Sequence, residues 1–425
     1  MKVYDLGFEI LKEVLKDKVA FATATKDHAR QIKNDVKVLV SSLCGLFLRN
    51  YQTITTISEY TFKNKAVEPL IYIGLVFMNN SYKKSLPLDE SIKYLASKLE
   101  LYQVKFDEEV RKDFQFAITN KKEYLSKVLE NNGLRHLATK CNIPEWVIKM
   151  LFRQYDKEIA KKTINNVVKM PEQYAVRNNR LIGGHEEELN KRFSLVKDNL
   201  FKFNDTTSIR KDQLVRVSAV LPIQKAEYQA VSYLPDLTDS DILIYFEDKN
   251  SLYVELMNKY LDKNRLNIYT NAPANNRDLF TILKPKNYEN LRIVECPEHE
   301  IIAHLSEEQD IVFFMPKSSN LELLRRTPEY GINFDTSELD SIIANEYNEL
   351  MDIARHVKSE GYLVYAVPTF NIKETLVMTK KFLGNVKNFK LVKESTHFPY
   401  EAENSIFYVA VFKKDREWLT YTIIN

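Results

Sequence analysis

Glycine is scarce in this chain: nine in 425 residues, and none between Gly184 and Gly331. A glycine-free stretch cannot make the close backbone approaches of a P-loop or a G-x-G-x-x-G cradle, so neither is expected there. Cysteine is scarcer. Cys44, Cys141 and Cys296 stand far apart with no C-x-x-C spacing, which excludes a zinc knuckle or a disulfide framework and fits a reducing cytoplasm. Long apolar runs are missing too. The longest, 70–78, has nine residues, too few to cross a bilayer, so no membrane association is expected. The opening "MKVYDLGFEILKEVLKDK" has no apolar core of the kind a signal peptide needs. His299 and His304 lie five apart beside Glu298 and Glu300; that is not zincin spacing, and no metal site is expected.

What the chain does have is apolar content of 44%, enough for a sizeable core, and a length that suits two or three domains. The net charge of +3 hides an asymmetry. Residues 1–200 carry 34 Lys/Arg against 25 Asp/Glu, a net of +9; residues 201–425 carry 27 against 33, a net of −6. The first half is the better candidate for a polyanionic partner. Lysines scattered on solvated helices give the same count, and charge alone favours that plainer reading.

Residues 1–140 read as helices. In "DVKVLVSSLCGLFLRNY", Val36, Val40, Leu43 and Phe47 recur at helical spacing, and Leu39 and Leu46 widen the face. "VEPLIYIGLVFMNN" is apolar nearly all round, as a central buried helix is. At least five helices are expected before residue 140. In "CNIPEWVIKMLFRQY", Asn142 and Glu145 form a capping-box pattern. "YAVRNN" alternates like a short strand. Beyond residue 205 the pattern becomes short apolar strands separated by helices: 242–246, 266–270, 291–295, 311–315, 362–367, 389–393 and 406–412. Such alternation predicts a parallel sheet of βαβ units, with the last two strands as an antiparallel hairpin.

The motifs in their order resemble the bacterial 16S rRNA cytosine-5 methyltransferases of the RsmB (Sun, Fmu) type. "NIPEWVIKMLFRQYDKEIA" is similar to the family's His-Pro-Glu-Trp-Leu segment, with Ile143 in place of the His. "YAVRNN" matches an Arg-Val-Asn strand, and "LPIQKAEYQA" a Gln-Asp-x-x-Ser element that keeps Gln224 but has Lys225 and Tyr228. "LLRRTPEYG" resembles Arg-Arg-x-Pro-Glu, and "VKSEGYLVYAVPTFNIKET" a strand whose later Glu aligns with Glu374. The resemblance implies a multidomain fold. An all-α NusB-like domain (1–140) binds RNA or protein, a small α+β connector (141–204) carries an RNA-binding element, and a class I, Rossmann-like methyltransferase domain (205–425) follows. It further implies an RNA contact by Arg177. Arg325 and Arg326 read equally as ordinary surface charges or, being adjacent guanidiniums, as an RNA-phosphate contact.

The family's chemistry needs a cysteine thiolate to attack the base and a second cysteine to release the product. Aligned on the motifs, those positions are Pro368 and Ser318, and the acid that holds the base is Met315. Proline has no nucleophile, and no base is evident beside Ser318. The cofactor loop reads Asp248, Lys249, Asn250, Ser251, without its glycines; the ribose acid falls near Asn271 or Ala272, and a later acid at Glu295. No catalytic residue and no cofactor are therefore expected. The first expectation is a degenerate, non-catalytic protein that binds RNA, small-subunit rRNA above all, or assists ribosome assembly. The alternatives are an active S-adenosylmethionine-dependent rRNA methyltransferase with a diverged site, and a protein-interaction module acting through its NusB-like domain.

Overall fold

The computed structural model describes residues 2–28, 30, 32–81, 86–129, 133–205, 207–246, 250–270, 282, 288–295, 308–401 and 404–416. The chain divides into two compact units: Met1–Lys169 with Leu323–Thr336, and Met170–Glu322 with Ser337–Asn425. Among the described residues no helix is long and apolar enough to cross a membrane.

The first unit is helical. Its centre is the helix Val67–Asn79, where every residue from 69 to 79 is buried. That matches its apolar character on all sides. The helix Asn34–Arg49 packs against it. A Cβ at Gly74 would stand 2.3 Å from Phe47 Cε2, so glycine is what admits the Phe47 ring. Nine helices, rather than the minimum of five, precede residue 142 among the described residues. The capping expectation at Asn142 is corrected. Asn142 takes a left-handed conformation, φ 51°, closing the helix Leu134–Cys141, and Pro144 stands at the N-cap of the helix Glu145–Gln154 with no side-chain cap. The Asn142 carboxamide oxygen instead accepts from the Thr53 backbone N–H and hydroxyl, at 3.2 and 3.0 Å. A tertiary contact has taken the side chain that the local pattern assigned to a cap.

The second unit holds two sheets. The strands β1 (Tyr174–Arg177), β2 (Phe193–Lys197), β3 (Leu200–Phe203) and β4 (Val220–Ile223) form an antiparallel sheet in the order β2-β3-β1-β4. All seven strands expected beyond residue 205 are present: β5 (Asp241–Phe246), β6 (Arg265–Thr270), β7 (Leu291–Glu295), β8 (Gln309–Met315), β9 (Val357–Val367), β10 (Phe389–His397) and β11 (Phe407–Lys414). Their order is β10-β11-β9-β8-β5-β6-β7. The strands from β7 to β9 pair in parallel, and β11 is antiparallel to both its neighbours.

The two units divide elsewhere than at 140 and 204. Helices continue to Asn166, and the helical unit ends at Lys169. The small sheet straddles residue 204, because β4 lies beyond it. Its face carrying Tyr174, Val176, Leu221 and Ile223 is buried in the same core as Ile244, Leu252 and Leu256 of the larger sheet and its first helix. A four-stranded sheet this small cannot bury one face alone, so it shares a core with its neighbour.

The helix Asn250–Tyr260 joins the two sheets. Asn258 Nδ2 donates to the Arg177 carbonyl at 2.8 Å. Glu255, one turn earlier, is only 7% exposed. Burial raises its pKa from 4.5 to about 7, against a smaller opposing contribution from Asn258. Between those two values the folded chain keeps a proton that the unfolded chain has lost, so stability falls as pH rises through that window and levels off above about 7. The full effect is about 3 kcal/mol at 1.36 kcal/mol per pKa unit. Glu255→Gln is expected to be more stable than the parent at pH 8 and close to it at pH 4.5, measured by urea unfolding across that range.

Candidate functional site

Strand order reverses at β5, with β6 and β7 on one side and β8 and β9 on the other. Open α/β sheets bind ligands outside the strand ends at such a switch point. The expected cofactor residues Asp248 and Lys249 lie outside the described residues, as do the side chains of Asn250 and Glu295. So do Asn271, Ala272, Cys296, Glu298, His299, Glu300 and His304. Ser251 is 7% exposed and Leu252 is fully buried in the core. Leu252 therefore turns away from the solvent side of the switch point.

The described part of the site is the junction of two segments, 316–322 after β8 and 368–375 after β9. Parallel pairing of β8 with β9 sets their ends side by side. Glu322 N–H donates to the Pro368 carbonyl at 3.2 Å, and the Ser319 and Thr369 hydroxyls meet at 2.9 Å. The two positions that the resemblance pairs, Ser318 and Pro368, are thus immediate neighbours of residues in contact. Neither is equipped for attack. Ser318 is half-buried, and its Oγ accepts from the Asn320 N–H at 3.2 Å, where Asn320 adopts a left-handed φ of 44°. Pro368 and Met315 are buried.

Beneath the junction is a buried carboxyl pair. Glu374, fully buried, accepts from the Ser319 N–H and hydroxyl and from Asn371 Nδ2, each at 2.6 Å. Burial raises its pKa and these donors oppose the rise. Glu346 lies beside it on the helix Leu339–Ile353 and is 1% exposed. Its carboxyl faces the Glu374 carboxyl and the Tyr365 hydroxyl. Burial, and then the charge of Glu374, hold its pKa well above the carboxylate range. Burial shifts both carboxyls toward the protonated form, and Glu346, facing Glu374, is shifted well above the carboxylate range. Tyr365, wholly buried on β9, donates to the Glu374 carbonyl at 2.8 Å. Its pKa is raised by burial and then by the two carboxyls. The arrangement clamps two loops together. It presents no activated nucleophile to solvent among the described residues.

Glu346 and Ser319 were not singled out from the sequence. The signal for Glu346 was available: Ile343, Glu346, Leu350 and Ile353 follow helical spacing, and a carboxyl on an apolar stripe marks a buried acid.

Of the RNA-contact residues, Arg177 is half-buried at the end of β1, where its Nε donates to Asn179 Oδ1 at 2.9 Å. Arg326 is half-buried. Arg325 is a correction: it is fully buried, and its Nε and Nη2 both donate to the Lys169 carbonyl, at 3.0 and 2.8 Å. No phosphate can reach it in this fold. The cluster serves the helical unit instead. Glu329 accepts from the Phe21 N–H at 2.8 Å, and Trp146 Nε1 donates to the Gly331 carbonyl at 3.1 Å. Trp146 stacks on Phe334 at 5.0 Å. The "NIPEW" and "RRTPEYG" elements dock on each other, so part of the resemblance they carry is packing.

No protein family and no curated protein sequence matches this chain. Solved structures do share its fold. The protein PH0851 aligns over 96% of this chain and 97% of its own, with a TM-score of 0.71 and 14% identity. A methyltransferase homologue from Pyrococcus horikoshii covers 67% of this chain and 100% of its own, with a TM-score of 0.54 and 14% identity. NSun6 from Pyrococcus horikoshii, solved with SFG, covers 64% and 99%, with a TM-score of 0.55 and 11% identity. The shared fold is a helical N-terminal region followed by a mixed α/β sheet with a parallel, Rossmann-like core.

The clamp gives a contrast in stability. Glu374→Ala strands the Ser319 N–H and the Asn371 amide in a dry site and is expected to cost about 3 kcal/mol. Glu346→Leu removes a buried carboxyl and is expected to change stability by less than about 1 kcal/mol, or to raise it. Urea unfolding of the two variants at pH 7 measures both.

Proposed function

We propose that this protein binds RNA, small-subunit rRNA in particular, on a methyltransferase fold that no longer works through a cysteine nucleophile. The observation that carries this reading is the junction beyond β8 and β9. There Ser318 is held in a turn, Pro368 is buried, and the Glu374 clamp joins the two loops. The two described thiols do not replace the lost pair. Cys44 is fully buried in the helical core with its pKa pushed up by burial, and burial also raises that of Cys141. RNA binding is supported by the net +9 of residues 1–200 and by Arg177 and Arg326. The helical unit is read as a NusB-like domain that adds RNA or protein contacts, consistent with action in ribosome assembly.

A second reading is an S-adenosylmethionine-dependent RNA methyltransferase with a rebuilt centre. Its support is the fold shared with NSun6, a protein solved with SFG, and the switch point retained at β5. Calorimetric titration with S-adenosylmethionine separates the two. The first reading expects no micromolar binding. Such an affinity, about −8 kcal/mol, would move the protein to the second.

For RNA, Arg177→Ala with Arg326→Ala is expected to weaken binding to a small-subunit rRNA fragment several-fold at 100 mM KCl, with affinity falling as salt rises. Unchanged affinity in a filter-binding assay would remove both arginines from the interface.

A further inference from the structure

The small sheet carries a cleft that the reading above does not use. It has a volume of about 710 Å³ and lies over the carboxyl end of β3, lined by Lys191, Arg192, Asn204, Asp205, Lys211 and Arg216 among others. Its floor is solid. Phe203 packs on Phe193 at 5.0 Å, over a core that includes Leu189, Ile209 and Leu214. The cleft is therefore held by a core of its own beneath the sheet.

Its charges are sorted. Asp212 is 8% exposed; one oxygen accepts from the Leu214 N–H at 2.8 Å and the other from Arg192 Nη1 at 2.6 Å. That carboxylate is satisfied, and it fixes the Arg192 guanidinium at the wall. Asp205 accepts from the Thr207 N–H at 3.0 Å. Among the described residues Lys191 has one ion pair, a loose one, 3.8 Å to Glu187, with both side chains well exposed and so of little worth. Lys211 and Arg216 are exposed, and among the described residues their side chains have no ion pair or hydrogen bond. Two unpaired cations from separate turns thus face one cleft beside a third that is locked in place. Like charges converge at a cost unless an anion joins them. Beside them, Asn204 Oδ1 accepts from the Ser194 hydroxyl at 2.8 Å and Asp205 Oδ1 from the Thr207 N–H, and the second lone pair of each oxygen is an acceptor that a ribose 2′-hydroxyl can donate to and deoxyribose cannot.

We infer that this cleft holds the sugar-phosphate backbone of single-stranded RNA, with Lys211 and Arg216 on the phosphates. The inference rests on the RNA-binding reading and gives it a second contact point. Phe203 pairs with Gln173 at the start of β1, and Arg177 ends the same strand. The two contact points are then about 14 Å apart along β1, at roughly 3.4 Å per residue. A strand of RNA crossing the small sheet touches both.

The test uses the full chain and a fluorescein-labelled single-stranded RNA of mixed sequence, with the DNA of the same sequence and inorganic phosphate as competitors. The variants are Lys211→Ala/Arg216→Ala and, as control, Arg210→Ala, an exposed charge that neighbours the cleft in sequence but does not line it. All three side chains are exposed, and unchanged melting confirms the fold. The expected result is a loss of about tenfold in RNA affinity for the double variant, and little for the control. The slope of log affinity against log salt should fall by about 1.4, at ~0.7 per phosphate contact on a single strand. RNA should outcompete DNA, and inorganic phosphate should compete only at millimolar concentration. Equal affinity and slope in parent and double variant would overturn the cleft and leave RNA binding elsewhere standing. An equal loss in the control would overturn it in favour of diffuse charge. Equal competition by DNA would overturn the ribose contact. Displacement by micromolar phosphate would assign the cleft to a free phosphate compound instead. No RNA binding by the parent would overturn both this inference and the function it rests on.

Discussion

A carboxylate shut away from water must find its donors inside the protein, and Glu374 sets the terms for everything around it. Its three donors come from the two loops that follow β8 and β9. Satisfying it requires Ser319 to turn inward and Asn371 to fold back, which fixes the path of 316–322 and 368–375 together. Glu346 makes the constraint stricter, because a second buried carboxyl tolerates the first only by staying protonated. The same positions that the resemblance assigns to a reactive centre are thus occupied by a structural knot.

Much of the fold was legible in the sequence for a plain reason. The central strands of the large sheet are short apolar runs such as "DILIYF" and "DIVFFM", buried in the core, and such runs declare themselves regardless of context. The all-round apolar helix Val67–Asn79 was equally plain. What failed was whatever depended on a partner distant in sequence. Asn142 looked like a cap because Thr53 could not be seen beside it. Arg325 looked like a phosphate ligand because a fully buried guanidinium and a surface one read alike until the Lys169 carbonyl appears.

The candidate site divides the same way. Ser318 and Pro368 were paired through the resemblance, and the loops that bear them do meet. The donors that close the junction were missed, since serine, threonine and asparagine are commonplace in loops. The cleft on the small sheet was missed for another reason. Lys191, Lys211 and Arg216 are ordinary solvated charges in sequence, and a boundary drawn at 204 cut through the surface they share. Charge balance over 200 residues is too coarse to find a pocket that a turn assembles.

The segment Leu323–Thr336 belongs to the helical unit although the rest of that unit ends at Lys169. Asn333 donates to the Val14 carbonyl at 2.8 Å, Trp146 reaches Gly331, and Ile332 packs against the helical core. Order of synthesis and order of completion therefore part company. As the chain leaves the ribosome, the first helices wait, with the Phe21 N–H unpartnered for 308 residues and the Lys169 carbonyl for 156. The helical unit closes only after β8 has been translated, although its first helix is the first segment to be made. A fragment cut at residue 169 would preserve every one of its helices up to that point and still be an incomplete fold.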